Sequence, residues 1–249
     1  MLLGDLVPEA AGTPAASLRV SGITADSRKV HPGALFVAVP GTRADGMSFV
    51  PQAVAAGAAA VLGEGPRPEN FPEGVAYLGA SDLRRTLALA ASRFYPRQPE
   101  AIVAVTGTSG KSSVADFARQ LFASLGYRSA SLGTLGIITS DGASYGSLTT
   151  PDPVTLHEIL DRLAADGTRR LAMEASSHGI DQRRLDGVRL AAAGFTNLGR
   201  DHLDYHGTTA AYAAAKLRLF DTLLSDDAAA VVNADGPFAD VFLGVIRSR

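Results

Sequence analysis

The hydrophobic pattern of the first hundred residues predicts a small α/β unit. LFVAV at 35–39 is a short apolar run rich in β-formers, which is typical of a buried strand. The run from Pro51 predicts a helix followed by a strand near 59–62, and a second helix is predicted from an N-cap at Ser81 to Tyr95. Two prolines in YPRQPE then break the pattern, so we place a domain boundary at residue 97.

From residue 98 to 249, apolar runs of strand length alternate with helix-length amphipathic stretches. The predicted strands are 101–105, 128–133, 169–174, 191–197 and 228–235, and the predicted helices are 111–126, 153–167 and 208–224. Such alternation predicts an α/β fold with a mostly parallel sheet of the P-loop type. Ligands in such sheets bind at the carboxyl ends of the strands.

Composition narrows the class of protein. With 46% hydrophobic and 19% charged residues, the 249-residue chain is predicted to fold into a globular protein. Its net charge of −2 gives no electrostatic basis for binding nucleic acid or an anionic membrane. The absence of cysteine excludes disulfides and thiolate catalysis, and Asp5 and Glu9 stand where a signal peptide carries positive charge. These features predict a soluble cytoplasmic protein.

The most specific local motif is VTGTSGKSS at 105–113, between a predicted strand and a predicted helix. Glycines let a backbone wrap around phosphate oxygens, and the helix N-terminus favours an anion. Lys111 would neutralise the β- and γ-phosphates, and the Ser112 hydroxyl would bind Mg²⁺. The strict P-loop pattern is not met, because its first glycine would fall at Val105. The alternative is a chance sequence in a tight turn.

Two further polar segments follow predicted strands. Glu174, in MEASSHG, could hold a metal beside a nucleotide, and NLGRDHLDYH at 197–206 carries two aspartates and two histidines. Carboxylates and imidazoles suit a Mg²⁺ or Mn²⁺ site or contacts to phosphate. The alternative is a set of solvated hydrogen-bonding groups.

The predicted helix 208–224 places Lys216 in one stripe with Tyr212, Leu219, Phe220 and Leu223. A lysine there must snorkel, pair or lose its charge. The sequence alone favours snorkelling, and a second apolar stripe that omits Lys216 can also be drawn. Carbamylation by CO₂, which would turn the amine into an anionic metal ligand, stays open.

Five motifs follow one another along the chain, namely TGTSGKSS, SLTTPDP, MEASSHGIDQRR, FTNLGRDHLDYHG and AAKLRLF, and ITADSRKVHPGALFVAVPGTRADG precedes them in the first unit. Taken together and in this order, they resemble the Mur ligase family. The resemblance covers nearly the whole chain. It is strongest to the members that add the third residue of the peptidoglycan stem peptide.

The resemblance implies an ATP- and Mg²⁺-dependent amide ligase of peptidoglycan precursor synthesis. Such an enzyme phosphorylates the D-glutamate carboxylate of UDP-MurNAc-L-Ala-D-Glu and joins the resulting acyl phosphate to meso-diaminopimelate or L-lysine. Residues 1–97 would bind the UDP moiety and residues 98–249 would form the ATP-binding central domain. The expected partners are small molecules only, and the expected state is a monomer.

The resemblance also implies roles for individual residues. The catalytic residues would be Lys111, Lys216 and His202. The nucleotide would contact Gly107, Thr108, Ser109, Gly110, Lys111, Ser112, Ser113 and Asn197. The sugar-nucleotide substrate would contact Ala25, Ser27, Thr42, Arg43, Ala44, Thr149, Thr150, Ser176, Gln182 and Arg184. The metal would be held by Ser112, Glu174, His202 and, if carbamylated, Lys216.

The sequence departs from the family at three positions and in extent. Ser109 replaces the usual asparagine, Ser112 replaces threonine, and Leu148 stands where some relatives carry a substrate-contacting asparagine. The last part of the central domain and the domain that brings the amine are not matched, so we expect the central domain to be incomplete and residues 1–249 alone not to ligate. The alternatives are a nucleotide or UDP-sugar binding module without catalysis, another Mur or folylpolyglutamate-type ligase, and a small-molecule phosphotransferase.

Overall fold

The computed structural model describes residues 1–41, 45–144 and 148–248. The chain divides into two compact units, Met1–Pro96 and Arg97–Arg249. Each unit contains its own β-sheet. None of the helices in the described ranges combines the length and the hydropathy of a membrane-spanning segment.

The first unit is a four-stranded parallel sheet with helices. Its strands are β1 (Gly22–Thr24), β2 (Ala34–Val37), β3 (Ala60–Glu64) and β4 (Ala76–Ala80), adjacent in that order, and its α-helices are α1 (Leu3–Leu6), α2 (Val50–Ala55) and α3 (Leu83–Phe94). The predicted N-cap at Ser81 is wrong by one residue. The carboxylate of Asp82 instead accepts a hydrogen bond from the backbone N–H of Arg85, because it satisfies a donor that the first helical turn leaves open.

The second unit is built on a seven-stranded sheet. Its strands are β5 (Ala101–Thr106), β6 (Ser129–Gly133), β7 (Gly136–Thr139), β8 (Gly142–Ser144), β9 (Arg170–Glu174), β10 (Leu190–Phe195) and β11 (Ala229–Val232). They lie in the order β11-β10-β5-β9-β6-β7-β8. The five strands that the sequence predicts here are mutually parallel, whereas β7 and β8 run antiparallel to their neighbours.

The helices of this unit lie between the strands along the chain, except for the last one, which follows β11. They are α4 (Lys111–Ser124), α5 (Pro153–Ala165), α6 (Ser177–Asp181), α7 (Leu203–His206), α8 (Thr209–Arg218) and α9 (Ala239–Arg247). The predicted helix 208–224 is not uniform, because a π-helical segment, Leu219–Leu223, follows α8. The main core packs Leu156 and Leu160 of α5 and Phe220 of the π-helical segment against the sheet.

The topology brings three strand ends together. β5 lies between β9 and β10, with Val105 opposite Glu174 and Thr106 opposite Phe195. Because all three strands run parallel, the segments that follow Thr106, Glu174 and Phe195 leave the sheet at the same edge. The motifs singled out in the sequence follow these ends.

Candidate active site

The loop between β5 and α4 has the backbone of an anion-binding turn. Gly107 has a φ of 149° and Gly110 a φ of 82°, both in the region that favours glycine. A Cβ on Gly107 would overlap Oγ1 of Thr196. Gly110 is the N-cap of α4 and brings no side chain to its first N–H groups. The N-terminus of this 14-residue helix can therefore receive a phosphate.

The segment after β10 holds this loop in place. Ser109 accepts hydrogen bonds at its carbonyl from Thr196 Oγ1 (2.6 Å) and Asn197 Nδ2 (3.2 Å), and its N–H donates to Asn197 Oδ1 (3.1 Å). The N–H of Thr108 donates to the Asn197 carbonyl at 2.9 Å. Both ends of the Asn197 amide thus bind the loop itself. Its predicted contact with nucleotide stays a prediction.

Two lysines meet at one carbonyl oxygen. Lys111 Nζ donates to the carbonyls of Gly107 (2.9 Å) and Thr108 (3.0 Å), and Lys216 Nζ donates to the same Gly107 oxygen at 2.8 Å. Burial lowers the pKa of Lys111, against the opposing effect of Glu174 and Asp201. The structure therefore brings both predicted catalytic lysines to the phosphate loop.

Lys216 does not snorkel, so the expectation favoured by the sequence is wrong. Its side chain is 1% exposed, and its ammonium lies 4.4 Å from the centre of the Tyr212 ring. Burial, followed by the positive charge of Lys111, lowers the pKa of Lys216 to about 7. A substantial fraction of this amine is neutral at physiological pH, which is the form that can react with CO₂.

Glu174 ends β9 in a closely fitted position and is 2% exposed. The backbone N–H of Thr134 donates to Oε1 at 2.8 Å and the Thr134 hydroxyl to Oε2 at 3.3 Å. A Cβ on Gly133 would overlap the carboxylate, so only glycine lets the β6–β7 turn approach this closely. Ser112 and Glu174 line one small pocket, and their hard oxygen donors suit Mg²⁺.

His202 occupies a different environment. It precedes α7 with a φ of 52°, and its ring centre lies 4.8 Å from that of His178 and 6.1 Å from that of Tyr212. Within the described ranges, no three His, Cys, Asp or Glu side chains are grouped so that they could hold a metal by themselves. A cation bound by Ser112 and Glu174 would need further ligands from water or phosphate.

Four of the five predicted substrate residues after 148 form one hydrogen-bonded network. The Thr150 hydroxyl donates to the Glu174 carbonyl and accepts from Ser176 N–H, both at 3.1 Å. Arg184 donates to the Thr150 carbonyl at 2.6 Å and to Gln182 Oε1 at 2.7 Å. The fifth, Thr149, lies with its hydroxyl 3.0 Å from that of Thr134.

The predicted UDP contacts lie in the first unit. Ala25 is exposed after β1, and Ser27 is 8% exposed with its hydroxyl donating to Gln52 Oε1 at 2.8 Å. Thr42, Arg43 and Ala44 lie outside the described residues.

The sequence reasoning missed two features near the site. The first is the contact of Thr134 with Glu174. The sequence feature that could have indicated it is the glycine–threonine pair at the end of a predicted strand. Asp186 and Arg218 form a buried ion pair at 2.7 Å, two residues from Lys216. No periodicity could have paired them, since they lie on separate elements.

Comparison with known proteins places this geometry in a family. A model described as the Mur ligase middle domain matches residues 105–248, and one described as the Mur ligase family catalytic domain matches residues 19–95. The chain belongs to the Mur ligase family. The Mur ligase resemblance noted in the sequence is thereby confirmed.

Individual Mur ligases agree. The chain is 56% identical over 231 residues to the UDP-N-acetylmuramoyl-L-alanyl-D-glutamate--2,6-diaminopimelate ligase of Agrobacterium fabrum. The aligned residues cover 93% of this chain and 46% of that protein. A solved structure of a ligase of the same name superimposes with a TM-score of 0.85 at 30% identity, over 100% of this chain and 50% of that one. The chain thus spans about half the length of both.

A more distant Mur ligase shares the fold. The structure of MurF from Thermotoga maritima, solved in complex with ADP, gives a TM-score of 0.59 at 21% identity over 92% of this chain and 48% of its own. The predicted α/β fold class is confirmed by these structures.

Proposed function

We propose that this chain carries the ATP site and the sugar-nucleotide site of an ATP-dependent ligase that adds a diamino acid to UDP-MurNAc-L-Ala-D-Glu. The observation that carries the proposal is the meeting of Lys111 and Lys216 at the Gly107 carbonyl, with Ser112 and Glu174 lining one pocket beside the start of α4. The names of the relatives in the comparison favour 2,6-diaminopimelate over lysine as the incoming amino acid.

The reaction proceeds in two balanced steps. A carboxylate oxygen of the D-glutamyl residue attacks the γ-phosphorus of ATP, and ADP leaves. The amine nitrogen of the diamino acid then attacks the acyl carbon, loses a proton and displaces inorganic phosphate, leaving an amide.

Residues of this chain can neutralise the phosphate charge and position the substrate. Lys111 would leave the carbonyls of Gly107 and Thr108 for the β- and γ-phosphates, while the N–H groups of the loop and α4 hold the phosphate oxygens. Mg²⁺, when bound by Ser112 and Glu174, would screen the repulsion between triphosphate and carboxylate. Arg184 can hold an anionic group of the dipeptide with a planar pair of donors.

Lys216 is proposed to act as a carbamate. Its neutral amine would attack CO₂, and loss of one proton would leave an N-carboxylate beside the phosphate loop. The pKa of about 7, caused mainly by burial, supports this step. His202 is proposed to contribute to the metal site, together with phosphate oxygens or water.

The remaining roles are proposed on the same basis. Residues 1–97 would bind the UDP moiety, with contacts at Ala25, Ser27 and 42–44, and residues 98–249 would bind the nucleotide. We also propose that the protein is monomeric and works in the cytoplasm, where its sugar-nucleotide substrate is expected.

The experiment that tests the substrate is calorimetry on the 249-residue chain. UDP-MurNAc-L-Ala-D-Glu should bind at one site, and UDP-MurNAc-L-Ala should bind about tenfold or more weakly, because it lacks the D-glutamyl residue whose carboxylates Arg184 and its network would hold. Arg184→Gln should remove most of that difference. Equal affinity for both compounds would contradict the proposal, as would no binding.

A further inference from the structure

The turn between β6 and β7 touches both halves of the proposed site. Its Thr134 lies against the metal-side carboxylate of Glu174 and against the substrate-side hydroxyl of Thr149. Gly133 is the last residue of β6, and Gly136 opens β7 with a φ of 83°. Both ends of the turn therefore need glycine, because a Cβ on Gly133 would overlap the Glu174 carboxylate and Gly136 has a positive φ.

Both oxygens of the Glu174 carboxylate are held by this one residue. The amide of Thr134 is on Oε1 at 2.8 Å and its hydroxyl is on Oε2 at 3.3 Å, which together fix the plane of the carboxylate. Two donors on a carboxylate with about four lone-pair positions leave positions open for a cation. Because Glu174 is 2% exposed, these donors also replace water that the buried anion has lost.

The hydroxyl of Thr134 has a single proton to give. If that proton points to Glu174, the contact with Thr149 must be made by the Thr149 proton, which gives the direction Thr149 to Thr134 to Glu174. A ligand that takes the Thr149 proton leaves the Thr134 proton on Glu174. The Glu174 carboxylate can thus keep its orientation when a ligand binds beside Thr149.

We propose that Thr134 is a positioning residue, which through its hydroxyl orients the Glu174 carboxylate toward the pocket it shares with Ser112. This inference rests on the proposed function, since that function places a divalent cation there. It adds to the metal site a residue that neither binds the cation nor lies in the phosphate loop.

The test measures binding of Mn²⁺, the probe cation, by electron paramagnetic resonance at saturating β,γ-methylene-ATP. Thr134→Val keeps the shape and the backbone N–H but removes the hydroxyl. It should weaken Mn²⁺ binding by about tenfold, at the low end for a hydrogen bond to a charged group because 3.3 Å is long. Thr134→Ser should restore the affinity to within about twofold.

Two controls separate positioning from a general structural effect. Thr139→Val, on β7 of the same hairpin, removes a hydroxyl that donates to the Gly142 carbonyl and should leave Mn²⁺ affinity unchanged. In a Glu174→Gln background, Thr134→Val should have little further effect, because the carboxylate that Thr134 would orient is already gone. The thermal midpoint of each variant shows whether it is folded.

The outcomes are distinct. Full Mn²⁺ affinity in Thr134→Val, or equal losses in the valine and serine variants, overturns the positioning role and leaves the proposed function intact. An additive loss in the Glu174→Gln background also overturns it. No Mn²⁺ binding to the nucleotide complex of the wild-type chain overturns both.

Discussion

Replacing Lys216 with methionine should stabilise the second unit at low pH and lose that advantage as the pH rises. Lys216 is 1% exposed with its ammonium over the Tyr212 ring, and its side chain is close to methionine in length and volume. The substitution keeps the packing and removes the ammonium, at the cost of one hydrogen bond to the Gly107 carbonyl.

The magnitude follows from the pKa shift. Burial lowers the pKa of Lys216 from 10.5 to about 7, so between these values the unfolded chain binds more protons than the folded one. Stability of the wild type therefore rises with pH in this window, and below pH 7 the buried charge carries its full cost. A shift of this size corresponds to at most ~5 kcal/mol, and relaxation of the site reduces it. The lost hydrogen bond offsets ~1 kcal/mol of the gain.

The assay is urea unfolding of the chain at several pH values from 6 to 10, followed by circular dichroism and fitted to the transition of the second unit. Lys29→Met, a change at an exposed lysine of the first unit, is the matched control and should show no such trend. The Lys216→Met advantage should be ~2–4 kcal/mol at pH 6 and should vanish or reverse by pH 10. An advantage that does not depend on pH, or a variant less stable at every pH, would refute the burial argument.

Three other substitutions test the framework around the site. Gly107→Ala should weaken binding of an ATP analogue by about tenfold or more, because the φ of 149° and the overlap with Thr196 would strain any side chain by ~1–3 kcal/mol. An unchanged dissociation constant in calorimetry would contradict this expectation. Arg218→Leu should destabilise the second unit by ~3–5 kcal/mol in urea unfolding, because it leaves the Asp186 charge buried. A double variant, Arg218→Met with Asp186→Leu, should recover much of the loss, and equal losses in both variants would count against the ion pair. His157 is buried with Nε2 3.0 Å from the Asp186 carbonyl, and burial lowers its pKa to about 4. The stability of the wild type should therefore fall by up to ~3 kcal/mol as the pH drops from 6.5 to 4. His157→Phe should flatten that dependence, and a variant whose pH profile runs parallel to that of the wild type would contradict the assignment to His157.

Much of the second unit follows from local pattern. The five parallel strands, the helices that begin at Lys111 and Pro153, and the glycine turn at 107–110 all carry short-range signals, namely apolar runs, helix-start proline and glycine spacing. By contrast β7 and β8 are only four and three residues long, with no alternation of apolar and polar positions to mark them. Their pairing depends on the adjoining β6 rather than on their own sequence.

The site was predictable only as separate pieces. The sequence places Lys111 and Glu174 at strand ends, and parallel topology then makes them neighbours. The burial of Lys216 was not predictable, because two stripes can be drawn through an alanine-rich helix and only the packing of α8 selects one. The clamp of Asn197 on Ser109 and the contact of Thr134 with Glu174 join residues 88 and 40 positions apart, which no local pattern links.

The most direct test of the nucleotide site is a calorimetric titration of the 249-residue chain with β,γ-methylene-ATP, with and without Mg²⁺. The geometry around Lys111 predicts one saturable site that needs Mg²⁺ for full affinity. Lys111→Ala should weaken that affinity by about tenfold or more, and Lys29→Ala should not change it. Binding that is indifferent to both Mg²⁺ and Lys111, or no binding at all, would contradict the assignment of the glycine turn as an ATP site.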